Sequence, residues 1–273
     1  MCDTCGCNVT KGNRHLLAPG GKLEKTSQGA QAITVLKNLL SENDIAAMHN
    51  RSHLDRQAVF TINLMSSPGA GKTALLEATI EALGERYRIA VIEGDLETEN
   101  DAERIRAKGV PAIQITTGTA CHLDAHMIHD ALHRLNLAAV DILFVENVGN
   151  LVCPASFDLG QHRNVTLLSI PEGDDKPAKY PVIFRAADLV GVTKTDLLPV
   201  LGDFSMERAK QYVQALANAA PVLEISTRTE AGLQDWLDWV EKALIEYRAC
   251  CERGESLRPA IQPDGARLHA AVP

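Results

Sequence analysis

Eight consecutive residues, Ser66-Ser67-Pro68-Gly69-Ala70-Gly71-Lys72-Thr73, place glycines, a lysine and a threonine in an order suited to holding phosphate. Gly69, Ala70 and Gly71 allow backbone N–H groups to wrap the phosphates, and a helix starting at Lys72 adds its positive end. Lys72 is expected to reach the β- and γ-phosphates, and the Thr73 hydroxyl to bind Mg²⁺. Ser66 stands where the usual pattern has its first glycine. Two further segments carry acids at the ends of apolar runs: Glu93-Gly94-Asp95, followed by Thr98 and Asp101, and Glu146-Asn147-Val148-Gly149. Asp95 and Glu146 are the candidates for holding Mg²⁺ or orienting water beside Lys72, and Gly149 for sensing the γ-phosphate.

The segment Gly191-Val192-Thr193-Lys194-Thr195-Asp196 resembles the Asn-Lys-x-Asp guanine-binding motif, with Thr193 in place of Asn. The Asp196 carboxylate can accept both the N1 and N2 protons of guanine, which adenine cannot match, so GTP is favoured over ATP. Lys194 belongs to the same motif, and Ser226-Thr227-Arg228 is a further candidate base-contacting loop.

Thiols form the second constellation. Cys2, Cys5 and Cys7 lie within seven residues, spaced so that a turn at Gly6 brings them together. Removal of Met1 would free an amine as a fourth donor. Three sulfurs and one nitrogen suit square-planar Ni²⁺; Zn²⁺ or Cu⁺ would also take the thiolates, and a redox dithiol is the alternative. Cys121-His122 and Cys153 sit next to the nucleotide-sensing segments, which makes a second metal site there a candidate, one that hydrolysis would move. His122, His126, His129 and His133 recur along an expected helix; two of them could bind a metal together, but a solvent-facing or interface stripe is the favoured reading, and the last three are left out of the site.

Short apolar runs at 59–65, 88–93, 112–116, 142–146, 165–170, 189–193 and 222–225 alternate with helical patterns at 72–83, 100–108, 122–135, 206–219 and 231–248. That alternation predicts an α/β protein of the phosphate-loop NTPase type, a mostly parallel sheet of about seven strands with helices on both faces. Apolar residues at helical spacing from Ala30 to Arg56, namely Ile33, Leu36, Leu39, Leu40, Ile45 and Met48, add a leading helix. The expected organisation is a metal-binding tip and flexible linker over 1–30, a GTPase domain with its leading helical region over 31–250, and a disordered tail over 251–273. A net charge of −8 argues against nucleic acid as partner. No apolar run nears the ~20 residues that cross a bilayer, and no leader is evident, so a reduced cytoplasmic protein is expected, with no membrane partner.

Taken in order, MCDTCGC, SSPGAGKT, IEGDLETENDAERI, TGTACHLDAHM, FVENVGNLVCPASFDLG, PEGDDKPAKYP, KTDLLP and ISTRTEAGLQDW resemble the hydrogenase nickel-incorporation GTPases, the HypB family. The resemblance implies a GTPase of the class that includes the signal-recognition-particle and urease-accessory G proteins. It implies dimerisation on GTP binding, a small nickel accessory protein of HypA type, and a [NiFe]-hydrogenase large-subunit precursor as recipient. It also implies tight nickel binding at Cys2, Cys5 and Cys7 and a weaker nickel or zinc site at Cys121, His122 and Cys153. Only His15 precedes the expected domain where many members carry a histidine-rich stretch, which favours delivery over storage. The alternatives are a nickel- or zinc-binding storage or sensing protein, or a related GTPase that serves urease.

Overall fold

The computed structural model describes residues 30–95, 100–118, 120–216 and 218–261, with side chains from Leu39 onward. The expected tip and linker, including Cys2, Cys5 and Cys7, together with Thr98 and the last twelve residues, lie outside the described residues. Seven strands form one parallel sheet: β1 (Phe60–Ser66), β2 (Ile89–Asp95), β3 (Ala112–Thr116), β4 (Ile142–Glu146), β5 (Arg163–Ser169), β6 (Leu189–Thr193) and β7 (Val222–Ile225). Their order is β3-β2-β4-β1-β5-β6-β7, all neighbours parallel. Parallel strands need crossovers, and the helices that supply them cover both faces, so the central strands β1, β4 and β5 are buried almost throughout, with polar residues such as Asn63 and Asn164 among their apolar ones.

On one face Phe60, Ile62 and Leu64 of β1 join Val91, Phe144, Val165 and Leu167 against α2 (Lys72–Leu83), α3 (Asn100–Ala107) and α8 (Leu233–Glu252). Trp236 is fully buried there, and its indole N–H donates to Thr79 Oγ1 at 2.8 Å. On the other face α1 (Ala30–Arg56) and α4 (Ala125–Leu132) cover β2 and β4, while α6 (Pro181–Arg185) and α7 (Met206–Ala215) cover β5 and β6. Between these last two helices and β5, the short α5 (Lys176–Lys179) precedes α6; neither is apparent as a periodic run in the sequence.

Three expectations are corrected. The helix expected to begin at His122 begins at Ala125, because Asp124 takes extended geometry and its side chain caps Met127 N–H. Cys121 and His122 therefore sit in the loop ahead of α4. The tail expected from residue 251 does not begin there: α8 runs to Glu252, Leu257 is buried, and Ala260 N–H donates to Asp188 at 2.7 Å. In α1 the inward line is Leu39, Asn43, Ala47, Asn50, Arg51 and Leu54, whereas Ile45 and Met48 are exposed. Polar groups point inward because partners await them: Arg51 pairs with Asp158 at 2.7 Å, and Asn43 donates to Asp158 O and accepts from Ala125 N–H.

Candidate functional site

Brought together by the strand order β2-β4-β1, the acids and the phosphate loop meet at the carboxyl edge of the sheet. The loop from Ser66 to Gly71 joins β1 to α2, with Gly69 at φ 72° and Gly71 at φ 95°. A side chain at either would be strained in backbone alone, since only glycine takes that region readily. Lys72 Nζ donates to Ser66 Oγ at 3.2 Å and lies 3.9 Å from Glu146 Oε1. Thr73 Oγ1 donates to that same carboxylate oxygen at 2.9 Å. The predicted trio Lys72, Thr73 and Glu146 is thus one connected cluster.

Glu93, named from sequence as part of the acidic strand end but set aside in favour of Asp95, joins the cluster in the structure. Parallel register sets it opposite Glu146 on the neighbouring strand. Burial, then the charge of Glu146, then that of Asp95 push its carboxyl up to about 8. Burial also lifts Glu146 to about 7 against the pull of Lys72 and Thr73. Glu93 Oε2 and Glu146 Oε2 are buried without a hydrogen-bond partner. Orphaned carboxylate oxygens beside a threonine hydroxyl form a hard oxygen donor set, the kind that fits Mg²⁺. Asp95 ends β2 on the same edge.

The residues expected to recognise the base meet the phosphate loop from the other side. Thr193 Oγ1 donates to Ala70 O at 2.7 Å and Lys194 Nζ to Gly69 O at 2.6 Å. The threonine that departs from the usual motif therefore ties this segment to the loop. Lys194 holds a left-handed backbone, φ 59°, which turns the chain so that Asp196 follows. Ser226 Oγ donates to Asp196 Oδ1 at 2.7 Å and accepts from Thr229 N–H at 3.2 Å, fixing one carboxylate oxygen.

The thiols of Cys121 and Cys153 lie 3.1 Å apart, beyond the roughly 2.05 Å of a disulfide. His122 Nδ1 is 4.0 Å from the Cys121 sulfur, and the three ligand atoms all fall within 4.8 Å of one another. His122 stacks on Phe157 with ring centroids 3.9 Å apart, and burial lowers its imidazole to about 4. It is consequently neutral at pH 7, with a lone pair available without proton competition. Two sulfurs and one imidazole match a thiophilic borderline ion such as Ni²⁺ or Zn²⁺.

One segment, Glu146–Cys153, belongs to both centres. Gly149 packs on the phosphate loop so closely that an added Cβ would stand 2.8 Å from both the Pro68 Cα and N atoms. Asn147 Oδ1 accepts from Leu123 N–H at 3.2 Å and from Val148 N–H at 3.0 Å. Asn150 Nδ2 donates to Cys121 O at 3.2 Å. These asparagines were not singled out from sequence; the only signal was their place in Asn147-Val148-Gly149-Asn150, between a strand-end acid and a cysteine.

Residues 60–224 match the family model described as CobW/HypB/UreG, nucleotide-binding domain. The chain is 48% identical over 232 residues to the hydrogenase maturation factor HypB of Azotobacter vinelandii, covering 85% of this chain and 73% of that one. Against HypB of Escherichia coli K12 the identity is 48% over 204 residues, covering 75% of this chain and 70% of the relative. Among solved structures, HypB from Helicobacter pylori in complex with nickel superposes with TM-score 0.72 at 42% identity, covering 75% of this chain and 96% of that one. HypB of Archaeoglobus fulgidus gives TM-score 0.70 at 39% identity, with 75% and 100% covered.

Proposed function

Because the chain belongs to the HypB family of hydrogenase maturation factors, within the CobW/HypB/UreG nucleotide-binding group, we propose that it hydrolyses GTP and uses the nucleotide state to govern a bound nickel ion. The observation that carries this reading is the continuous segment Glu146–Cys153, which starts in the nucleotide site and ends in the thiolate site.

Phosphoryl transfer asks mainly for positioning and charge stabilisation. Backbone N–H groups around Gly69 and Gly71 cradle the phosphates, and Lys72 supplies a fixed positive charge at the transferring group. Thr73, Glu146 and Asp95 would hold Mg²⁺, which when bound neutralises developing charge on the phosphate oxygens. Burial lifts the Glu146 carboxyl to about 7. A cation close by favours its ionised form, so binding couples to loss of its proton. Asp196, held by Ser226, accepts from the guanine edge; Lys194 lies over the loop it joins.

A change of γ-phosphate state at Pro68 and Gly149 shifts the segment that carries Cys153 and, through Asn150, the loop that carries Cys121. The sulfurs then move relative to His122, and the cargo affinity changes. Zn²⁺ is the competing ion at this donor set. The proposal extends to Cys2, Cys5 and Cys7 as the tight nickel site on an N-terminal tip, to dimerisation on GTP binding, and to transfer toward a [NiFe]-hydrogenase large-subunit precursor with a HypA-type partner. No helix among the described residues is long and apolar enough to cross a membrane. The test is Lys72→Ala: GTP turnover should fall at least about 100-fold, in line with loss of a preorganised charge, and hydrogenase activity in cells should fail. Normal turnover with normal hydrogenase activity would sink the proposal.

A further inference from the structure

Away from both centres, α1 presents His49 and His53 one turn apart, facing His129 of α4 and its C-cap His133. The ring centroids of His49 and His129 are 5.1 Å apart, those of His53 and His133 5.7 Å, and those of His129 and His133 4.5 Å. His129 Nε2 and His133 Nε2 approach to 3.1 Å. Two imidazole nitrogens on one ion, each about 2.05 Å from it, stand about 2.9 Å apart at a right angle and about 3.3 Å apart in a tetrahedron. The observed separation falls between these values.

A built support orients the pair. Asn50 is completely buried, and its Nδ2 donates to Ala125 O at 2.7 Å and to Leu159 O at 3.2 Å. Its Oδ1 is thereby left as an acceptor, facing His129 Nδ1 at 3.1 Å. That contact places the His129 proton on Nδ1 and leaves a lone pair on Nε2, aimed at His133. A metal-binding histidine is held in its tautomer by the same kind of outer hydrogen bond. Burial, then His133 and His49, lower the His129 imidazole; burial, then His133, Arg56 and His49, lower that of His53. Four crowded imidazoles disfavour protons among them, while a single cation can share their lone pairs.

We propose that His129 and His133 are the nucleus of a surface site for a divalent, imidazole-preferring transition ion, completed by His49 and His53 of α1 and separate from the thiolate centre. The ion would take both Nε2 lone pairs, with the proton of His133 moving from Nε2 to its own Nδ1. The α1 rings, one exposed and one half-buried, need only side-chain rotation to close on it. The donor set is nitrogen alone, so it would take Ni²⁺, Zn²⁺ or Cu²⁺ and ignore Mg²⁺.

The experiment uses the full chain with Cys2, Cys5, Cys7, Cys121 and Cys153 replaced by Ser, titrated calorimetrically with Ni²⁺ alone and Zn²⁺ alone. One ion per chain should bind, with an X-ray absorption shell of nitrogen and oxygen only. His129→Gln with His133→Gln should weaken binding at least about 30-fold, and His49→Gln with His53→Gln about tenfold. If the serine background does not fold, ion counts on the otherwise natural chain serve instead: the His129/His133 variant should hold one ion fewer. Unchanged binding or an unchanged count in that variant overturns the site.

Discussion

Replacing Gly149 by Ala probes the joint between nucleotide and metal most sharply. Gly149 is not among the glycines with positive φ, so alanine is acceptable to the backbone and the effect is steric. Its Cβ would stand 2.8 Å from Pro68 Cα, 2.8 Å from Pro68 N and 3.0 Å from Pro68 Cγ. Carbon atoms in comfortable contact lie at about 3.5–4.0 Å. The two segments must therefore part by roughly 0.7–1.2 Å, and two of the three atoms struck are backbone. Overpacking of this kind costs about 1–3 kcal/mol, and a displacement near 1 Å at a phosphate-binding loop costs about 100-fold in rate. The assay is steady-state GTP turnover with GTP affinity by fluorescence titration, alongside thermal unfolding. The kcat should fall by about 10–100-fold, with a lower Tm. Gly202→Ala is the control, since nothing lies within 4 Å of its added Cβ and its φ is not positive; it should behave as the parent. Turnover, affinity and Tm all within twofold or one degree of the parent for Gly149→Ala would refute the contact and the coupling built on it.

Asp196→Asn should cut GTP affinity by about 100-fold or more, since the amide cannot accept both guanine protons, and should admit xanthosine triphosphate, whose C2 carbonyl accepts from the new NH₂; competition binding of the two nucleotides measures this. The raised Glu93 and Glu146 carboxyls bind more protons folded than unfolded, so their contribution to apo stability is fully present below pH 4.5 and lost as pH rises through about 7 and 8. Apo Tm should fall across that window, more so than in Glu93→Gln, and Mg²⁺ with nucleotide should bind more tightly as pH rises through it; a flat difference between wild type and Glu93→Gln would contradict the buried pair.

Strand positions were readable because the sheet is largely covered on both faces, so its strands appear as short, mostly apolar runs; for β3, β4, β6 and β7 the observed limits equal those expected, although the edge strands β3 and β7 carry Gln114 and Glu224. The phosphate loop and the segment expected to bind the base stood out in the sequence because the motifs that suggest them are local. What stayed hidden depends on strand order. Glu93 faces Glu146 only because β2 lies beside β4, forty-six residues apart before register is known. Asn147 and Asn150 tie the Cys121 loop to the Cys153 segment through contacts that no spacing predicts. Periodicity misled at His122, which fits the helical repeat of His126, His129 and His133 but stands outside α4 because Asp124 caps it. It misled again in α1, where Asn43, Asn50 and Arg51 take the inward positions and Ile45 and Met48 the outer ones.

Nucleotide-dependent nickel affinity at Cys121, His122 and Cys153 tests the account most directly. Cys2, Cys5 and Cys7 would be replaced by Ser, as would His129 and His133 by Gln, so that the thiolate centre alone is read. Nickel would be titrated with GDP and with a non-hydrolysable GTP analogue, each with Mg²⁺, following the sulfur-to-nickel charge-transfer absorption. The two affinities should differ by at least about fivefold, the lower end of typical coupling between sites, and Gly149→Ala should shrink the difference. Equal affinities in the two nucleotide states would contradict the claim that the segment Glu146–Cys153 couples them.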